Sequence, residues 1–456
     1  MAVWSAVRFS RLSPDIRWDA EHYRPEFLQQ EQAIRKLDTK PLREVADVSD
    51  GNHLSIAEEF CEEGVRYLRG QDLSDFFISD ADPIYIPEKH YAALGRSHMF
   101  PGDVLVGVVG TIGTVGLVTE RHGKLTGNCK LAIVRPRALP GEYIAAYLAS
   151  RLGQYEIRRR IRGAVQMGLI LPDLKELPVV EPTKFQRDKV VGAIQGAQAA
   201  RRRAAETIGG AESRLMEALG LNHLDLTPQK CYARRFRDLQ GANRFGAEYF
   251  MPCKKRVLDA LAKMPHKTVA VHAPGIRDMW DPAQARKEEV VRNFDVTGAL
   301  EPFLDDANEP QEAASIGSAK KRFRAGDVVV SRLRSYLKEI AVVRTSGTPP
   351  SVGSSEFIVL RPTGKGITAE TLMVYLRCPL VQTILKWSQD GSNHPRFTEA
   401  DLLAIPVPDK VLNVQKRIDR LVIDAIDAHR EAARLLEQAK KTVEGLIAGG
   451  SRGRGG

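Results

Sequence analysis

Apolar residues fall into two long stretches with helical spacing. From Val414 through Ile418, Leu421, Ala425, Ala428, Ala432, Leu435, Ala439 and Thr442 to Leu446, they alternate intervals of four and three. Earlier in the chain, Val190, Ile194, Ala197, Ala204, Ile208, Ala211, Leu215 and Ala218 keep the same phase, with Arg201 as the one polar break. A seam held this long predicts paired coiled-coil helices, because only a continuous partner can cover such a stripe. The many alanines imply a close approach of the two helices. Pro182 and Pro408 stand just before the two stretches, as suits a helix start. At 1.5 Å per residue each helix would be a rod of roughly 50 Å.

Between these stretches the pattern is shorter and β-like. Asp103-Val104-Leu105-Val106 and Asp327-Val328-Val329-Val330 each follow a glycine, which fits a tight turn feeding a buried strand. The two runs belong to a repeat that organises the chain. Arg17-Trp18-Asp19-Ala20-Glu21-His22-Tyr23-Arg24-Pro25 is echoed by Arg244-Phe245-Gly246-Ala247-Glu248-Tyr249-Phe250-Met251-Pro252. Gly102-Asp103 returns as Gly326-Asp327, Val134-Arg135-Pro136 as Leu360-Arg361-Pro362, and Tyr147-Leu148 as Tyr375-Leu376. Asp173-Leu174-Lys175-Glu176-Leu177-Pro178 returns as Asp401-Leu402-Leu403-Ala404-Ile405-Pro406. Five matches in one order, at offsets of 224 to 228, are not coincidence.

The expected architecture is α+β: two homologous mixed α/β domains separated by a pair of long antiparallel coiled-coil helices, with internal pseudo-twofold symmetry. An N-terminal segment would occupy 1–16, the first domain 17–182 and its helix 183–220. A linker at 221–243 would lead to the second domain at 244–408, its helix at 409–448 and a disordered tail at 449–456.

Composition narrows the function. The 456 residues carry 67 basic and 57 acidic side chains, a formal charge of +10, which favours a polyanionic partner such as nucleic acid. Cys61, Cys129, Cys231, Cys253 and Cys378 are odd in number and scattered, so reduced thiols in the cytoplasm are expected, without a zinc site or disulfide framework. No signal peptide or membrane span is expected. Neither a Gly-x-x-x-x-Gly-Lys-Ser/Thr phosphate loop nor an Asn/Asp-Pro-Pro-Tyr/Phe methyltransferase segment occurs; Thr348-Pro349-Pro350-Ser351 lacks the polar and aromatic ends of the latter. Pro172-Asp173-Leu174-Lys175 has the look of a nuclease fragment, but its repeat lacks the lysine, so it reads as structural.

The duplicated Gly-Asp strands, the Gly-Thr-Ile-Gly-Thr-Val-Gly run at 110–116 and the Asp-to-Pro segments at 173–178 and 401–406 together resemble the specificity (S) subunit of type I restriction-modification enzymes. Gln186 and Gln415 near the helix starts belong to the resemblance, as do Asp50-Gly51-Asn52-His53 and Gly64-Val65-Arg66-Tyr67-Leu68-Arg69. It spans nearly the whole chain. It implies two target recognition domains, each reading one part of a split site in double-stranded DNA, with the helices as spacer and docking surface. The chain itself would be non-catalytic and hold no cofactor. A modification subunit would bind S-adenosylmethionine and methylate, and a restriction subunit would translocate and cut. Two other readings stay open: the DNA reader of a different multi-subunit phage-defence system, and a stand-alone nuclease.

Arginine reads guanine, and asparagine or glutamine reads adenine, through paired hydrogen bonds to the base edge. On that chemistry the candidates in the first half are His53, Arg66, Arg69, Thr111, Thr114, Lys130 and Gln166. In the second half they are Arg332, Arg334, Tyr336, Lys338, Asn393, His394 and Arg396. The run Arg158-Arg159-Arg160-Ile161-Arg162 could follow phosphates or be a solvated helix end, and Arg201-Arg202-Arg203 could face DNA, a partner or solvent. Trp18, Tyr23, Phe245 and Phe250 are expected as packing anchors, and the change from His22 to Tyr249 between repeats argues against a catalytic histidine.

Overall fold

A computed structural model describes residues 4–9, 17–74, 76–163, 165–242, 244–286 and 288–450. The expected N-terminal segment lies partly outside these residues, and the tail mostly so. The chain divides into two compact units, residues 1–200 with 430–456 and residues 201–429. Each unit combines one mixed α/β domain with half of each long helix, which run Lys184–Leu219 and Asp409–Gly450.

In the first unit an antiparallel sheet has the order Ala46–Asp50, Leu131–Pro136, Val104–Gly107, Val115–Leu117. Val65–Leu68 forms a second small sheet, antiparallel to Ile84–Ile86 and parallel to Leu125–Gly127. The central strand is apolar throughout because both of its faces are covered. Val104 and Val106 meet the helix Gly141–Ala149, while Leu105 points the other way into Leu68, Met99 and Leu125. The second unit repeats this, with Val328 and Val330 on the helical side and Val329 among Phe294, Phe323 and Phe357. Its sheet has the order Gly275–Ile276, Phe357–Leu360, Val328–Ser331, Ile340–Val343, Phe303–Leu304.

The repeated residues hold the frame. Gly102 and Gly326 turn the chain at φ +92° and +85°, a left-handed conformation that glycine adopts without a side-chain penalty. The next residue, Asp103, is buried and accepts the Phe100 amide at 2.9 Å and the Nε and Nη2 of Arg135 at 3.0 and 2.8 Å. Asp327 does the same with Arg324 and with Arg361, at 2.8, 2.7 and 2.8 Å. The arginine of each Arg-Pro strand end is therefore the partner of the aspartate in each Gly-Asp turn. Tyr147 donates its hydroxyl to Pro178 at 2.6 Å, and Tyr375 donates to Pro406. Short ladders close each domain, Thr39–Pro41 on Pro178–Val180 and His266–Thr268 on Pro406–Pro408.

The long helices pair as the seam predicts. In the second unit Arg201 meets His429 and Ala204 clusters with Ala425 and Ala428, so one helix ascends as the other descends. In the first, Val190, Ile194, Ala197 and Ala200 share a core with Ala432, Leu436, Ala439, Val443 and Leu446. The buried positions shift from the expected ones at four places: Val422, Leu436, Val443 and Leu219 are buried where Leu421, Leu435, Thr442 and Ala218 were expected. An apolar or small residue stands at both members of the first two pairs, and covering by the domain as well as the partner helix selects the inner one. The heptad then continues through His429, opposite Arg201. The break in the first seam is half of a polar layer, joined by Glu301, which accepts from Arg201 at 2.5 Å.

Candidate nucleic-acid interface

In each unit three segments meet at one end of the central strand. The first is the loop after that strand, 108–114 or 332–338. The second is a tight hairpin, closed by paired backbone bonds between Arg162 and Gly168 or between Asp390 and Arg396. The third is the turn 127–131 or 353–357. Leu169 donates to Val108 at 2.9 Å and Phe397 to Arg332 at 3.2 Å, docking hairpin on loop. Val108 donates to Lys130 at 2.9 Å and Arg332 to Glu356 at 3.1 Å, docking loop on turn. The docking bonds correspond from unit to unit, although the second loop is one residue longer, with Gly107 donating to Thr114 in the first unit and Ser331 to Glu339 in the second. Side chains at matching bonds can be compared in pairs.

In the first unit, Gln166 stands exposed in the hairpin beside Val165 and Met167. Lys130 is exposed at the turn. Thr111 spends its hydroxyl proton on the Gly70 carbonyl at 2.9 Å, and Thr114 spends its own on Thr111 at 2.8 Å, so both shape the loop. Gly70 brings Arg69 to the same place, where Asp72 and Asp82 hold its guanidinium. His53 is exposed and bound to Asp50 at 2.5 Å. It follows Asn52, whose backbone pairs with Gly127 and Cys129 of the turn. Gly51 allows that pairing, since a Cβ there would lie 2.2 Å from the Asn128 carbonyl oxygen. Arg66 is placed differently from the rest. Only 8% exposed, it donates to the Ser79 carbonyl at 2.9 Å, as its counterpart Arg292 does to Asp306 at 3.1 Å. Both arginines pin a loop from inside and present nothing at the surface.

The second unit gathers its predicted residues more tightly. Arg334 and Lys338 have φ of +47° and +53°, where Gly110 and Gly113 have +78° and +85°. The second loop is one residue longer and contains a 3-10 turn at Ser335–Leu337, and in it two cations hold a left-handed backbone at a cost of about 1–2 kcal/mol each. Between them Tyr336 is half exposed. Arg334 donates its backbone amide to Pro395 at 3.0 Å and its Nη2 to His394 Nδ1 at 3.2 Å. Asn393 and His394 are exposed on the hairpin. Beneath the loop, burial pushes the Glu339 carboxyl above its usual range. Arg377, partly buried, donates to the carbonyls of Lys338 and Ile340 at 3.0 Å and anchors the loop's far end.

Sequence reasoning missed Glu356. It accepts from Arg396 Nε and Nη2 at 3.0 and 2.9 Å and from Arg332 Nε at 2.9 Å, and Arg396 foremost holds its carboxyl below the usual range. Its signal in sequence is only its alignment with Lys130.

Other expectations change. Arg159 is buried against Glu31 and His22, Arg160 pairs with Glu156, and Arg162 holds Asp173 at 2.5 and 2.6 Å. Three of the four arginines at 158–162 thus serve the fold. Asp173 also lies 3.8 Å from Arg17, which agrees with a structural reading of that segment. Trp18 and Phe245 are each 72% exposed and are not packing anchors; their neighbours Arg17 and Arg244 do the anchoring, through Asp173 and Asp401. Among the described residues no group of three His, Cys, Asp or Glu could hold a metal ion, and no helix is long and apolar enough to cross a membrane.

No family model matches the chain, and no curated protein matches it. Solved structures do. The fold is similar to the S subunit of a type I restriction-modification system from M. genitalium, at 15% identity and a TM-score of 0.37, over 90% of this chain and 94% of that one. It is similar to the HsdS subunit from Thermoanaerobacter tengcongensis, at 15% and 0.30, over 91% and 97%. A third similar structure, described as bearing on complex assembly and conformational transition of the type I R-M system, gives 14% and 0.28, over 91% and 97%.

Proposed function

We propose that the chain is the DNA-specificity subunit of a type I restriction-modification complex, working in the cytoplasm. Each unit reads one half of a split, asymmetric site in double-stranded DNA. The paired helices space the two readers and dock modification subunits, which carry S-adenosylmethionine; a restriction subunit joins them. One observation carries this reading. A repeated frame ends in loops docked by matching backbone bonds, and those loops differ in the side chains they carry. Val108, Gly110, Gly113, Lys130 and Gln166 stand in one unit where Arg332, Arg334, Lys338, Glu356 and His394 stand in the other. A frame that repeats holds shape, and loops that diverge can contact different bases.

Selection of bound sites from a random DNA library by the full chain with its co-purifying subunits tests the reading. Gln166→Ala should relax preference in one half-site only, and Asn393→Ala in the other only. A single continuous selected site, or one substitution shifting both halves, would refute it. The chain alone, given S-adenosylmethionine, magnesium, ATP and DNA, should turn over none of them; cleavage that survives rigorous purification would favour the nuclease reading instead.

A further inference from the structure

We propose that Glu356 is a positioning residue that orients Arg332 and Arg396 for base reading, so that selectivity of the second half-site depends on an acid that itself repels DNA. The inference rests on the DNA-reading function proposed above. Around Glu356 stand Arg332, Arg334, Lys338, His394 and Arg396, a patch whose charge suits a polyanion. A carboxylate at its centre weakens attraction to phosphate, so affinity alone gives it no reason to be there. Orientation does.

A guanidinium on a free side chain neutralises phosphate from many angles. Reading guanine requires two parallel N–H groups held in the plane of the base. Arg396 is fixed by the two Glu356 bonds and by its own Nη1 donating to His394 O at 3.0 Å. Arg332 is held only at Nε, 2.9 Å from Glu356. Its two terminal nitrogens have no acceptor among the described residues, and its side chain is 43% exposed. That leaves the distal edge of Arg332 presented outward from a fixed stem, the arrangement a bidentate base contact needs.

The first unit supplies the contrast. Lys130, Val108 and Gly168 occupy the places of Glu356, Arg332 and Arg396. Both sites sum to one positive charge, but the lysine has a point charge on a flexible stem and the arginines are clamped. Equal charge with different rigidity predicts a phosphate contact in one unit and a base contact in the other.

Site selection by the full chain with its co-purifying subunits, for wild type, Glu356→Gln and Arg332→Lys, separates the possibilities. Both variants should lower preference at one base position of the second half-site, by about 5- to 150-fold for a lost bidentate contact. The first half-site should be unchanged and serves as the folding control. Binding to unrelated duplex should hold or tighten in Glu356→Gln, because the repelling charge is gone. If Glu356→Gln keeps the wild-type preference, or weakens all duplexes alike without changing it, Glu356 does not position the readers and the inference fails while the proposed function stands. If wild type selects no split site, the proposed function falls, and this inference with it.

Discussion

Acidification should weaken the second unit through one histidine at the helix seam. His429 is nearly buried and accepts from Arg201 at its Nδ1, 2.6 Å away, so in the neutral ring Nε2 carries the proton toward Glu301 at 3.3 Å. Burial disfavours the charged ring; Glu301 favours it, but Arg201 and Arg377 oppose it, and the pKa falls to about 4. In the unfolded chain the same ring titrates near 6.5. The folded pKa is the lower one, so this contribution is intact above about pH 6.5 and is lost as pH falls toward 4. At pH 5 the loss comes to about 2 kcal/mol. Glu301 is held below its usual range, since Arg201 and His429 outweigh its burial, and it adds its own loss only at more acid pH. His429→Gln keeps an acceptor for Arg201 and a donor for Glu301 but cannot titrate. At pH 7.5 it should cost no more than about 1 kcal/mol, the worth of a hydrogen bond. At pH 5 that deficit should vanish or reverse. Amide hydrogen exchange over residues 417–428 at both pH values reads this unit by itself. The first unit should keep its acid sensitivity in the variant, because His22 and His122 also sit near pKa 4 through burial. A His429→Gln effect equal at both pH values, within about 0.5 kcal/mol, would show that the ring is not held neutral by the fold.

Three further outcomes are expected. Ala204→Glu and Ala432→Glu, at fully buried seam positions, should each cost about 3 kcal/mol or more by overpacking and burying an unpaired charge; a wild-type thermal midpoint in either would contradict the packing. Asp103→Ala and Asp327→Ala should each lose roughly 2–4 kcal/mol, tempered because the freed arginine can reach water, and the two losses should agree within about 1 kcal/mol. Denaturant unfolding of both checks whether the twin geometries are twin in energy. Arg334→Gly should be neutral or stabilise by up to about 1 kcal/mol by relieving left-handed strain while impairing selection of the second half-site; clear destabilisation would mean that its contacts outweigh the strain.

How much of this could be read in advance depends on how far apart the interacting residues lie. The seams, the Gly-Asp turns and the closing Asp-to-Pro segments announce themselves because each is a local pattern, and duplication shows every one twice. Arg66 misleads because burial is not local: a charged residue in a strand looks available until Ser79 closes over it. Trp18 misleads in the opposite direction, since an aromatic suggests a core while its neighbour Arg17 takes the anchoring place. The seam moves by one residue where two adjacent positions are both apolar, and only the third body packed there, the domain, decides between them.

Glu356 is the hardest case, because its meaning lies in residues 332 and 396, which reach it from separate segments. The same geometry explains why such a residue can differ between repeats. Asp103 and Asp327 are buried with their partners inside the frame, so changing either leaves an unmet arginine and costs folding energy. Lys130 and Glu356 sit where the frame ends and their neighbours face water, so exchanging one for the other changes what the surface presents and leaves the strands beneath it in place. On the proposed DNA-reading function, stability and recognition thereby fall to different atoms of one repeated fold. That separation lets a single architecture, used twice in one chain, carry two different chemistries at the same backbone positions.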